Sequence, residues 1–476
     1  MKKVLLTLFS LLAICAHGSL RLPSLICDNM VLQRETEVKL WGESEPFNKI
    51  SATCSWDNHT YSATADRSGQ WSMNIRTPQA GGPYKIQFST LRGGDKVTIN
   101  NIYIGEVWIC SGQSNMVHPV RGNQRQPVDG SAEAIAGAQN YPGIHMFKIP
   151  LTPAETPQEY CGGSWLTPFD KDAVANIAAT AYFFAVELYK ELKIPIGIIQ
   201  ASWGSARIEA FMSPEAIAKA GGVDTDKLKL QEKVQKRPSV IYNGMIYPLR
   251  NYVARGFIWF QAGANRADYK NYPAVLTSMV RSWREMWGRE DMPFINTQNA
   301  MYPVDGSPDK TTLPLIVEKQ FDVRGHIPAY WIATSTDLGD PKEAHHPQKP
   351  VHGYRMAMLA LKNVYGVKGL HADAPDFGNV TFAGGKAAVT FTNADDGLVV
   401  KGDKVLSFEL AGADRKFHSA EAAIVNGSNR VEVWSENVPA PVALRYAFRN
   451  YCEVSLYNKY GQTPRSYRTD KWDDVR

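Results

Sequence analysis

The sequence predicts an α/β core, a parallel sheet flanked by helices, with a β-rich region on either side of it. Three observations carry this. Short apolar runs suited to buried parallel strands recur through the middle of the 476-residue chain. Helical patterns lie between several of them, and both ends read instead as short strands separated by turns.

The first 18 residues read as a secretory leader. Lys2 and Lys3 form a basic start, Val4 to Ala16 an apolar run, and Ala16-His17-Gly18 a small-x-small cleavage pattern. That run falls short of the ~20 residues needed to cross a bilayer. Ile14 before Cys15 argues against lipid attachment. No later stretch resembles a membrane helix, so the expectation is export to the periplasm or the cell exterior, without a membrane span. Losing Lys2 and Lys3 lowers the formal charge of +5 by two. The remaining excess forms no basic run, which argues against a nucleic-acid partner. Five cysteines stay behind (Cys27, Cys54, Cys110, Cys161 and Cys452). An odd, scattered set is neither a disulfide framework nor a metal-ligand spacing, and at least one thiol is left over.

Residues 19–100 are expected to form a β-rich N-terminal domain. Glu37 to Trp41, Ser51 to Cys54 and Lys85 to Ser89 are short and strand-like, and Gly, Pro, Asn and Asp separate them. Residues 101–366 carry the α/β pattern. Strands are expected at Val107 to Cys110, Ile196 to Gln200, Gly256 to Phe260, Phe294 to Asn296 and Tyr330 to Thr334. Ala178 to Leu192 reads as a helix that Pro195 stops. Val275, Met279, Val280, Trp283 and Trp287 share one helical face. Residues 367–476 return to β, with period-two runs at Lys386 to Thr392 and Arg430 to Trp434.

Strand–helix alternation puts reactive groups at the carboxyl ends of the strands, and four segments sit there. Cys110-Ser-Gly-Gln-Ser-Asn-Met116 follows the first middle strand and can expose the Ser114 hydroxyl, with a helix start aiming N–H groups at it. Ser202-Trp-Gly-Ser205 offers a glycine N–H at Gly204. Trp259-Phe-Gln-Ala-Gly-Ala-Asn265 offers the amide of Asn265 to a developing oxyanion. Asp337-Leu-Gly-Asp340, followed by His345-His346-Pro347, brings an imidazole able to take a proton near neutral pH. Each segment alone is equally an ordinary turn. The His-His pair finds no third ligand at metal spacing. In this order the four are what acyl transfer needs.

With these blocks in place the sequence resembles the sialate O-acetylesterase family, a branch of the SGNH hydrolases, over nearly the whole mature chain. The resemblance rests on Asp28 to Arg34, Gly105 to Met116, Tyr242 to Met245 with Pro248, and Trp283-Arg284 with Trp287. It continues in His346-Pro347, Lys349, Gly353 and Arg355, then Ala411 to Asp414, Pro441, Arg445-Tyr446 and Arg468 to Asp470. It implies an SGNH-type α/β domain with β-rich domains, and no cofactor. Ser114 would be the nucleophile and His346 the base. The Ser114 N–H, Gly204 and Asn265 would form the oxyanion hole, and Gln113, Asn115, Trp203 and Gln261 would contact the sugar. The substrate implied is O-acetylated sialic acid; acetylated xylan or another glycan is the alternative.

Three departures stand out. Gly263 replaces an acidic residue, Ala344 replaces an Asp two positions before the base, and Trp203-Gly-Ser-Ala206 replaces Trp-Gly-Gly-Thr. Either Glu343, Asp340 or Asp337 supplies the carboxylate that orients His346, or the chain is an impaired esterase that binds sugar.

Overall fold

A computed structural model describes residues 20–304 and 306–473; the expected leader lies outside the described residues. The central layer runs Tyr330–Ala333, Phe294–Thr297, Gly256–Phe260, Lys96–Gly112, Ile196–Ser202, Ile144–Lys148 and Trp165–Leu166 in spatial order. All neighbours are parallel except the last, short pair. From the central strand Lys96–Gly112 the chain passes to one side of the sheet, then crosses to the other. The order therefore reverses at that strand, and in such sheets ligands bind outside the carboxyl end of the strand where the order reverses.

Both faces of the layer are covered, as unbroken apolar strands require. Val107 and Ile109 face a core shared with Val275, Met279 and Trp283 of the helix Tyr272–Met286. Trp108 and Cys110 point the opposite way, into a core built with the helices Ala179–Leu192 and Lys349–Asn363. Four of the five expected middle strands are present with ends within two residues, and both helical readings are present. Ala179–Leu192 ends on Lys193 in the left-handed region, two residues before Pro195.

One expectation needs correction at the amino end. The strand expected at Val107 to Cys110 is part of a 17-residue strand, and the division expected between residues 100 and 101 falls inside it. Its first half pairs with Gly81–Thr90 and Val31–Gln33, and its second half with the α/β neighbours. Glu106 marks the junction. Its buried carboxylate takes Arg34 Nε and Arg255 Nε, each at 2.6 Å, with Gln33 and Tyr365 at 3.1 Å. Removing one partner of a buried ion pair leaves charge uncompensated. Glu106→Ala is therefore expected to destabilise the fold by about 3 kcal/mol, read as a drop in thermal midpoint; an unchanged midpoint would show the cluster to be energetically idle.

The carboxyl-terminal region is antiparallel. Asp376–Ala383, Lys386–Thr392, Arg430–Trp434 and Glu421–Ile424 form one sheet, and Phe417–Ser419, Phe408–Ala411, Ala443–Tyr446 and Tyr467–Arg468 another. They enclose their own core around Val389, Phe391, Val431 and Leu444. The region docks on the α/β layer through bonds such as Thr336 Oγ1 to the Pro464 carbonyl (2.8 Å) and Arg355 Nη2 to the Gly461 carbonyl (3.1 Å). The five cysteines after the leader are all free thiols.

Candidate active site

The four segments meet at the carboxyl edge of the sheet. Gly112 ends the central strand at φ +137°, and a Cβ there would lie 2.3 Å from the Phe260 carbonyl. Only glycine lets the chain turn off the strand at that spot. The expected helix start is only a 3-10 turn, Ser114–Met116, so a helix dipole adds little. The turn is fixed from outside instead. Ser202 Oγ donates to the Met116 carbonyl (2.9 Å), Thr180 Oγ1 to the Asn115 carbonyl (3.2 Å), and the Phe260 carbonyl accepts from Gln113 N–H (2.9 Å). Ser114 is thereby held half-exposed, and among the described residues its hydroxyl makes no hydrogen bond.

Gly204 faces it. A Cβ on Gly204 would sit 4.0 Å from Ser114 Cβ, with nothing else in reach, so the glycine borders open space over the serine. Neither the Ser114 nor the Gly204 N–H is taken by another group among the described residues.

Asn265 is 2% exposed and rigidly set. Its Oδ1 accepts from Ile208 N–H (3.0 Å) and Gln261 Nε2 (2.8 Å), which fixes the orientation of the amide. Its Nδ2 then lies 3.0 and 2.9 Å from the two oxygens of Glu209. Two oxygens of one carboxylate subtend a far smaller angle than the spread of the amide hydrogens. One N–H therefore serves Glu209, and the second is left for another acceptor. Glu209 went unread in the sequence because a lone Glu in a turn carries no spacing signal.

The expected contact between Ser114 and His346 is absent: no hydrogen bond joins them in this conformation. His346 is 1% exposed, its Nε2 lies 2.9 Å from His352 Nε2, and its Nδ1 is buried without a partner. None of the expected carboxylates touches it. Asp337 is bidentate with Arg355 (2.7 and 2.8 Å), and Asp340 Oδ1 accepts the backbone N–H groups of Lys342 and Glu343. Glu343 accepts from Gln126 Nε2 (2.7 Å), and Gln126 Oε1 in turn lies 2.9 Å from His345 Nδ1. The carboxylate thus reaches the neighbouring histidine through an amide.

Two of the expected sugar contacts are corrected. Gln261 is fully buried, bonded to Asn265, Tyr272 and the Ala206 carbonyl, so no sugar meets it. Asn115 spends its side chain on the Ala344 carbonyl (3.3 Å) and Lys349 Nζ (2.7 Å), bridging the serine turn to the histidine loop. Gln113 and Trp203 remain partly exposed, with Gln113 Oε1 accepting the Ala264 N–H at 3.2 Å.

Lys349 is the group whose burial was not foreseen. It is 0% exposed, donates to Asn115 Oδ1 and the His346 carbonyl (2.8 Å), and has no carboxylate partner among the described residues; burial pulls its ammonium down to about 7. His118, His345, His346 and His352 surround it, and all four imidazoles are pushed below their usual value, first by burial and then by Lys349. The His118 imidazole is brought down to about 4. Folded-state values below the unfolded one mean that the unfolded chain binds protons first as pH falls. This part of the stability is intact above pH ~6.5 and is lost on descending toward about 4. The thermal midpoint is expected to fall steadily across that window, and less in His118→Asn; a flat profile would contradict the assignment. Among the described residues no three His, Cys, Asp or Glu side chains are grouped to hold a metal ion.

Comparison with known proteins is specific. The profile of a family described as carbohydrate esterase, sialic acid-specific acetylesterase, matches residues 104–361. Sialate O-acetylesterase of Mus musculus is 24% identical over 510 residues, covering 93% of each chain. The Homo sapiens sialate O-acetylesterase is 25% identical over 487 residues, covering 93% of this chain and 91% of its own. Among solved structures, a novel carbohydrate acetylesterase from Xanthomonas citri superposes with a TM-score of 0.86 and 32% identity, over 95% of this chain and 100% of that one.

Proposed function

This chain belongs to the family of sialic acid-specific carbohydrate acetylesterases, and from that premise we propose that it removes O-acetyl groups from sialic acid through an acetyl-serine intermediate. The observation that carries the chemistry is the partly exposed Ser114 facing Gly204, its hydroxyl and both residues' N–H groups unclaimed among the described residues.

In this reading Ser114 attacks the acetyl carbonyl while a histidine takes its proton. The N–H groups of Ser114 and Gly204 and the second N–H of Asn265 hold the oxyanion, each such donor being worth roughly 10²–10³ in rate. The histidine then protonates the departing sugar oxygen. Water, activated by the same base, releases acetate and restores the serine. His346 is the base, supported by its buried Nδ1, which has no hydrogen-bond partner among the described residues and so has a lone pair or proton to spare. A second reading gives the role to His345, supported by the Glu343–Gln126–His345 chain, which holds that ring through Nδ1 and leaves Nε2 free. The order of the serine, glycine, asparagine and histidine blocks supports an SGNH-type α/β domain between β-rich regions, with the amino-side division inside the strand Lys96–Gly112. The leader supports export.

The experiment is acetate release from O-acetylated sialic acid and from acetylated xylan, run side by side. Faster turnover of the acidic sugar is expected. Preference for xylan would move the substrate to a neutral glycan, and release from neither, with sugar binding retained, would make the chain a binding protein.

A further inference from the structure

Sialic acid differs from neutral acetylated sugars by its carboxylate, and a site that selects it needs a cation not already neutralised. Arg207, Lys349 and Arg266 are cations carried on or next to the segments that form the site. Arg207 is taken, with Nη2 2.8 Å from both Glu209 Oε1 and Asp268 Oδ2. Lys349 is sealed inside the fold. Arg266 is different: it is partly exposed, and among the described residues it forms no ion pair. Its one hydrogen bond runs from Nη1 to the Gly263 carbonyl at 3.1 Å.

The loop that carries Arg266 adjoins the site. Arg266 follows Asn265 directly. Ala264 N–H donates to Gln113, and a Cβ on Gly263 would lie 3.5 Å from Gln113 Nε2, so the loop carrying Arg266 rests on the residue before Ser114. The nearby carboxylate of Asp268 is held by Arg207 and does not neutralise it. A guanidinium has five N–H donors in a flat fork, and only one nitrogen is engaged here. The free edge suits a carboxylate taken in two parallel hydrogen bonds.

We propose that Arg266 binds the carboxylate of the acidic sugar and sets the preference for sialic acid over neutral acetylated glycans. The proposal rests on the esterase reading above and adds the group that recognises its substrate.

The test compares wild type, Arg266→Gln and Arg266→Lys on three esters: O-acetylated N-acetylneuraminic acid, its carboxyl methyl ester, and 4-nitrophenyl acetate. Glutamine can still bond the Gly263 carbonyl, so the loop is preserved and only the charge is lost. Arg266→Gln is expected to lose ~10–100-fold in kcat/KM on the free acid, mostly through KM, and to keep its activity on the nitrophenyl ester. Lysine should recover part of the loss. On the methyl ester wild type should drop to the level of Arg266→Gln, and the variant should lose nothing more. Equal losses on the acidic and nitrophenyl esters would reduce Arg266 to a structural role, and no loss on the acid would remove it from recognition; either overturns the proposal. A wild type inactive on all three esters would instead sink the esterase reading itself.

Discussion

Replacing Ser114 by alanine is expected to lower acetyl-ester hydrolysis by about 10³-fold or more, with the thermal midpoint unchanged. The two halves of that expectation have separate causes. The loss follows because Ser114 is the side chain that faces Gly204, and its hydroxyl forms the acyl intermediate. The unchanged stability follows because the Ser114–Met116 turn is held by Ser202, Thr180 and the Phe260 carbonyl and not by the serine hydroxyl. Acetate release and a melting curve on the same preparation read both. Retained activity would remove Ser114 from the reaction, and a collapsed midpoint would leave the activity loss uninterpretable as chemistry.

The second large effect concerns the adjacent histidines. A positioned general base contributes roughly 10²–10⁴ in rate, so losing the true base has an effect of that size, and losing its neighbour a much smaller one. His346→Ala is expected to cause the large fall in kcat. It also empties a buried site beside His352, so its midpoint should drop as well. His345→Ala should cost little in rate and little in stability, because that ring is partly exposed and bonded only through Gln126. The reversed pattern, with the large kcat loss in His345→Ala, would assign the base to His345 and make Glu343 and Gln126 its orienting pair. Glu343→Gln would then lower the acid limb of the pH–rate profile, a change that the first assignment does not produce.

Much of this was legible in the residues. Gly256–Phe260, Lys386–Thr392 and Arg430–Trp434 fall where unbroken or alternating apolar runs put them, because period and burial agree there. The strand Lys96–Gly112 was only half read. Its first half alternates and its second half is apolar throughout, so two environments on one strand look like two elements. In the site, Ser114, Gly204 and Asn265 were readable as small or amide residues just past strands. Polar side chains in the same blocks were misread wherever burial decides their role. Gln261 and Asn115 look available to a sugar in the sequence, yet each is spent on the fold. The reverse holds for Glu209 and Gln126, whose importance comes from partners 56 and 217 residues away. Sequence spacing carries no trace of such contacts. The carboxylate expected to orient His346 illustrates both limits. Three candidates were named, and all three found other partners.

The central claim is that the hydroxyl of residue 114 becomes covalently acylated during turnover. A serine-directed fluorophosphonate, followed by peptide mapping in a mass spectrometer, interrogates that atom alone. One label per chain on the peptide containing Ser114, appearing in step with the loss of acetate release, is the outcome expected. Full inhibition with the label on another residue, or undiminished acetate release from a chain labelled at Ser114, would contradict it.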